Sequence, residues 1–250
     1  MLLDELTGHR LFDAHLHLPF FTDPVTFATE AERQGLAIFS QAVTPEEYLR
    51  LQPLLDACEN VRQGVGIHPW WIADGRCTDS DVDTVVDLMG STPWVGEVGL
   101  DFSPRRPNHE GQVAAFRRIA QAAGAAGDKV LSIHAVRSVS TVLEILEEYG
   151  CTSSCTCIIH WFSGSTEELW QAIRLGCFFS VNEMQAKVKR SKEQLRLIDE
   201  THLLFETDLP EGQESETPVF EVISALERAQ EMAGAIRQAP RATGRRRHEG

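Results

Sequence analysis

Short apolar runs alternate along this chain with longer amphipathic stretches, and turn residues mark each change. The first run, Phe12 to His17 (FDAHLH), alternates apolar and ionisable residues and stops before Pro19, which predicts a strand ending in a turn. A helical pattern over Pro24–Gln34 closes at Gly35, and Leu36–Ser40 reads as a second strand. Thr44 then offers a hydroxyl N-cap, with Pro45 at the first helical position and Glu46 and Glu47 in the first turn. The rhythm continues with strands at Val61–His68, Trp94–Gly99, Lys129–His134, Cys157–Trp161, Cys177–Val181 and Leu203–Glu206. Helices are predicted at Asp79–Met89, Gln112–Ala126 and Val139–Tyr149, after the SGS turn at 163–165, at Ser191–Glu200 and at Pro218–Arg237.

Eight strands therefore alternate with eight helices, and most of the strands are unbroken apolar runs of the kind buried on both faces. This predicts an α/β fold, a single (β/α)8 TIM barrel over residues 1–238, for which 250 residues is an ordinary size. A doubly wound open sheet is the alternative, but no glycine-rich phosphate fingerprint follows the first strand. Residues 239–250 hold proline, glycine and arginine without apolar periodicity and are expected to form a disordered basic tail.

Composition narrows the function. With 42% hydrophobic and 24% charged residues the chain is an ordinary globular protein, and no run is long enough for a membrane span. The start MLLDELTGHRLFD carries acidic residues where a secretory signal needs a basic start, so a cytoplasmic location is expected. The six cysteines are too sparse for a disulfide scaffold and are read as reduced packing residues, the CxxxCxC of Cys151, Cys155 and Cys157 lacking a partner pair for zinc. A net charge of -14 disfavours holding nucleic acid by general attraction, so a polyanion must be gripped locally, as a metal centre would do.

In a barrel of this type the active site lies at the C-terminal ends of the strands, and that is where the ligand-type residues fall. Strand one ends in His15 and His17, strand three in His68, strand four in Glu97 to Asp101, strand five in His134, strand six in His160 and strand eight in Glu206 to Asp208. His15 and His17, two apart, are expected on one face, with Asp13 on that side one pleat below. His15, His17, Glu97, His134, His160 and Asp208 make more ligands than one cation needs, and they suit two divalent ions bridged by a carboxylate. Glu97 is the expected bridge. Asp208 is the expected second catalytic carboxylate, ligating one ion and taking a proton from the attacking water. Histidine-rich ligation suits Zn2+, Mn2+ or iron, whereas phosphodiester chemistry often runs on Mg2+.

Taken together, FDAHLH, GIHPW, EVGLDF, the SIH of strand five, HWFSGS and ETD resemble, in order and over nearly the whole chain, the signature motifs of the TatD family of metal-dependent deoxyribonucleases. The resemblance implies a TIM barrel of the metal-dependent hydrolase type, divalent cations held by the six ligands above, and hydrolysis of DNA phosphodiesters, commonly from a 3′ end. The spellings HAVRS and HWFSG look closest to the branch associated with Qat anti-phage systems, which implies partner proteins from such a system. Family members usually place an arginine two residues after the strand-five histidine; here Arg137 stands three residues after His134 as the phosphate-positioning candidate. His68 is a second substrate-binding candidate, and the basic run Lys187, Lys189 and Arg190 after strand seven supplies three more, as outer phosphate contacts.

Two other functions compete. A small-molecule amidohydrolase uses a similar histidine-rich set, but many of these bridge their metals through a modified lysine at the end of strand four, where this chain has Glu97 and no lysine nearby. A catalytically silent barrel binding nucleic acid or a partner protein predicts a broken ligand set, and none of the six ligands is broken.

Overall fold

The computed structural model describes residues 2–239. Eight parallel strands form the barrel: β1 (Leu11–Leu16), β2 (Leu36–Gln41), β3 (Val61–Gly64), β4 (Trp94–Asp101), β5 (Val130–Val136), β6 (Thr156–His160), β7 (Phe178–Val181) and β8 (Leu203–Phe205). Their ladders fall into two arcs, β1-β2-β3 and β4-β5-β6-β7-β8. At one seam Val65 bridges Val95, and Gly96 N donates to Val65 O at 2.9 Å. Glycine is required at position 66, because a Cβ there would lie 2.4 Å from the backbone nitrogen of Glu97. The chain after β8 closes the other seam: Asp208 N donates to His15 O at 2.9 Å and His17 N to Leu209 O at 2.8 Å.

Phe12, Ala14, Ala37, Phe39, Trp94, Val130, Ile158 and Leu204 cluster with Leu3 and Leu6, a grouping from six different strands that only a barrel interior can assemble. Leu11, Leu16, Leu36 and Ile38 pack instead with Phe27, Leu51 and Leu226 of the helix layer. Leu11 and Leu16 thus share a side although five residues apart, which strict alternation forbids. An irregularity resolves this, since Asp13 pairs with Ile38 but Leu16 with Ser40, leaving one extra residue on β1. β4 does the same beside Glu97: Val95 pairs with Leu131 but Val98 with Ile133.

Several expected boundaries moved. Strand three was expected to run to His68, but β3 ends at Gly64 and His68 instead caps the helix Pro69–Ala73, its Nδ1 accepting from Trp70 N at 3.1 Å. The helix expected over Ser191–Glu200 is replaced by Glu183–Lys187 and Lys189–Leu195, each started by its own loop residue, with a 3₁₀ turn at Glu200–His202. Cys151, Cys157 and Cys177 pack in the main core between strands and helices. No helix among the described residues is long and apolar enough to cross a membrane. The basic tail expected at 239–250 lies, from residue 240 on, outside the described residues.

Candidate metal centre

The two irregular strands converge on one point. Glu97, buried at the bulge of β4, turns Oε2 to His15 and His17, each Nε2 being 3.5 Å away. Its Oε1 faces the opposite set, His134 Nδ1 at 2.9 Å, His160 Nε2 at 3.0 Å and His68 Nε2 at 3.2 Å. Asp208 Oδ1 joins the first set, 3.3 Å from His17 Nε2 and 3.6 Å from His15 Nε2. The six residues read as ligands are therefore linked through Glu97, His15 and His17, and all but the fully buried His15 line a cleft of about 1300 Å³ at the C-terminal mouth of the barrel. Asp13 does not join them. It faces the β1–β8 seam, accepting from Thr207 Oγ1 at 2.6 Å and from Thr207 N at 3.1 Å, and burial pushes its carboxyl up to about 8.

Three of the candidate imidazoles are held from behind. Ser132 Oγ lies 2.7 Å from His15 Nδ1, so the ring presents Nε2 to the carboxylates. Asp101 Oδ2 lies 3.3 Å from His134 Nε2 and accepts from Trp70 Nε1 at 2.6 Å, which turns His134 Nδ1 to the centre. Glu206 Oε1 stands 3.7 Å from His160 Nδ1, itself anchored by Ser180 and by Asn182 Nδ2. Sequence reading named Asp101 and Glu206 at strand ends without giving them this role and passed over Ser132; their signal is the even spacing of Ser132 and His134 on β5 and of Asp101 beyond Glu97.

The charges are interdependent. Burial opposes ionisation of Glu97, but His68, His160 and His15 outweigh it and hold the carboxyl well below its usual range. Burial likewise opposes charge on His160, yet Glu97 and Glu206 raise it well above the ordinary value, and Asp208 and Glu97 raise His17. Burial wins at His15, which is lowered, and at His68, which falls to about 4. Neutral His68 accepts Trp70 N at Nδ1, so its proton sits on Nε2 and points at Glu97 Oε1, where it steadies the carboxylate.

Three triads have ligand atoms all within 4.8 Å of one another: His15, His17 and Asp208; His15, Glu97 and His160; His68, Glu97 and His134. His15 Nε2 is buried with no hydrogen-bond partner of its own. An orphaned imidazole nitrogen among ionised carboxylates fits a divalent cation in donor type and charge.

The outer residues are placed less directly. Arg137 is exposed just past β5 with a left-handed backbone, φ 55°. Lys187 pairs with Glu183 at 3.0 Å, Lys189 is exposed, and Arg190 Nη2 donates to Ser163 O at 2.6 Å, bracing the loop after β6. None of these four lines the cleft; its arginines are Arg76 and Arg228. Arg76 stacks 3.3 Å over the Trp71 ring and pairs with Asp74, while Arg228 pairs with Glu183.

Comparison with known proteins adds the lineage. Residues 12–241 match the family model described as TatD related DNase. YjjV of Escherichia coli, named as an uncharacterized metal-dependent hydrolase, is 24% identical over 250 residues, 91% of this chain and 95% of that protein. Its crystal structure overlays 91% of this chain with a TM-score of 0.72. The 3'-5' ssDNA/RNA exonuclease TatD of Pantoea ananatis is 29% identical over 153 residues, 58% of this chain and 56% of that one. The TATDN1 homolog of Encephalitozoon cuniculi is 29% identical over 147 residues, 58% of this chain and 50% of that one. The chain thus spans about half the length of these last two relatives.

Proposed function

This chain belongs to the TatD-related DNase family, and from that premise we propose that it hydrolyses DNA phosphodiesters at this cleft, working from a 3′ end with two divalent cations. The observation that carries the reading is the division of Glu97, one oxygen toward His15 and His17 and the other toward His134 and His160. A carboxylate so shared suits a bridge between two cation positions, with Asp208 completing the first. Divalent cations held by these residues would supply Lewis acidity to a phosphoryl oxygen and would lower the pKa of the attacking water.

The remaining steps fall to the chain. Asp208, ionised and lining the cleft, has Oδ1 beside His17 and leaves Oδ2 to receive the proton of the water. His68 steadies Glu97 from the substrate side. The 3'-5' exonuclease name of the Pantoea relative supports the 3′ polarity. End-labelled single- and double-stranded DNA, incubated with purified protein and Mg2+, Mn2+ or Zn2+, tests the reading: shortening from the 3′ end that stops on chelation is expected, and intact DNA under every metal overturns it.

Ser132 gives a test of the centre that does not depend on turnover. Ser132→Ala frees His15 Nδ1, so the ring loses the partner that sets its tautomer. Metal affinity, measured by competition with a chelator, is expected to fall about 10- to 100-fold. Unchanged affinity removes Ser132 from the support of the site.

Lys187 and Lys189 remain the proposed outer phosphate contacts, beyond the cleft lining. Arg190 is left in place in the test because its bond to Ser163 holds the loop. Neutralising both lysines is expected to reduce the slope of log binding constant against log salt by about 0.7 per contact for single strands, equally for all sequences. The same slope in the double variant returns the pair to a solvated helix surface.

A further inference from the structure

Three of the large apolar side chains that the protein leaves exposed, Trp161, Met184 and Phe220, stand on the cleft above the metal centre. Trp161 is the most telling. It directly follows His160 and is 40% exposed, while its neighbour Phe162 is 2% exposed and packed in the core. Its backbone sits at φ 40°, a left-handed conformation disfavoured for a bulky side chain and found where the surroundings impose it.

The surroundings do impose it. Each of the next three carbonyls is tied to a side chain of the following segments: Phe162 O accepts from Gln185 Nε2 at 2.7 Å, Ser163 O from Arg190 Nη2 at 2.6 Å and Gly164 O from Gln194 Nε2 at 3.0 Å. An exposed indole on so firmly held a loop is pre-organised for a partner with a flat face.

Charge points to the same partner. The cleft's two arginines are already engaged, Arg76 with Trp71 and Asp74 and Arg228 with Glu183, and Glu211 and Glu221 add negative charge to the rim. Outside the metal floor a nucleic acid finds little here for its phosphates. Its bases, however, find an apolar rim.

We infer that Trp161 is the stacking surface for the nucleobase beside the scissile phosphodiester. This rests on the phosphodiesterase reading above and adds the feature of the substrate that is recognised. A base lying on the indole has left its own stack, which a paired end resists and a single strand permits.

The test compares kcat/KM on a single-stranded DNA with that on the same strand carrying abasic nucleotides at both ends. Wild-type protein is expected to favour the base-bearing strand by about 5- to 100-fold, chiefly through KM. In W161A and in W161L, which keeps apolar bulk without a ring, the ratio is expected to fall to within about threefold of one, while W161F retains most of it. A purely structural role for Trp161 would lower both rates together and leave the ratio standing, which overturns the inference, as does a wild-type enzyme indifferent to the bases. Failure of the wild-type protein to cut either strand with any divalent cation overturns the phosphodiesterase reading itself, and the stacking role with it.

Discussion

Glu97→Ala is expected to abolish metal-dependent DNA hydrolysis, by about 10³-fold or more, while the barrel stays folded. The size of the effect follows from the number of groups that depend on this one carboxylate. Both oxygens are in use, and five imidazole nitrogens lie within 3.5 Å of one or the other. Without it, the two histidine sets lose the anion between them and at least one cation position loses a ligand. Folding is spared because the position of residue 97 is fixed by its backbone, Glu97 N donating to Ala42 O at 2.9 Å, and because imidazoles can shed their protons when the carboxylate is gone. Metal content, circular dichroism and hydrolysis measured on one preparation check this. Near-normal turnover by a folded variant would remove Glu97 from the bridge and the two-cation reading with it.

Asp208→Asn is the second large effect, expected at about 10²- to 10⁴-fold in rate. The substitution is nearly isosteric and spares the backbone: residue 208 has φ 56°, a region asparagine and aspartate enter more readily than most residues, so alanine there would confuse strain with chemistry. What asparagine removes is the negative charge. Burial works against that charge, but His17, His15 and His160 outweigh it and keep the carboxyl below its usual pKa, ionised and ready to take a proton. The amide can do neither that nor attract the cation as strongly. A variant keeping more than about a tenth of the wild-type rate would show that the proton goes elsewhere.

Residue type and order made much of this protein legible. A chain that places apolar runs and amphipathic stretches in regular alternation has few ways to bury both faces of its strands, so the barrel could be read from periodicity. The fold then makes the strand ends the reactive end, and counting along the chain put His15, His17, Glu97, His134, His160 and Asp208 there as the candidate ligands. Asp101 and Glu206 were in view for the same reason, but which histidine each supports was not, because that depends on neighbours brought together from distant strands.

Only the tertiary structure decided the rest. Period two correctly paired His15 with His17 but also put Asp13 with them; the extra residue between Asp13 and Leu16 breaks that parity, so the histidines enter the centre while Asp13 secures the seam to Thr207. The same device on β4 aims Glu97; Gly96 beside it hints at a bulge, but the register shift itself is set by which residue of the next strand lies opposite. Charge was the least legible property. Lys187, Lys189 and Arg190 look alike in sequence and are all exposed, yet Lys187 pairs with Glu183 while Arg190 holds the carbonyl of Ser163. A side chain's ionic partner is chosen in space, by groups the chain order keeps far apart, so composition fixed the net charge of the molecule and the fold alone fixed where that charge acts.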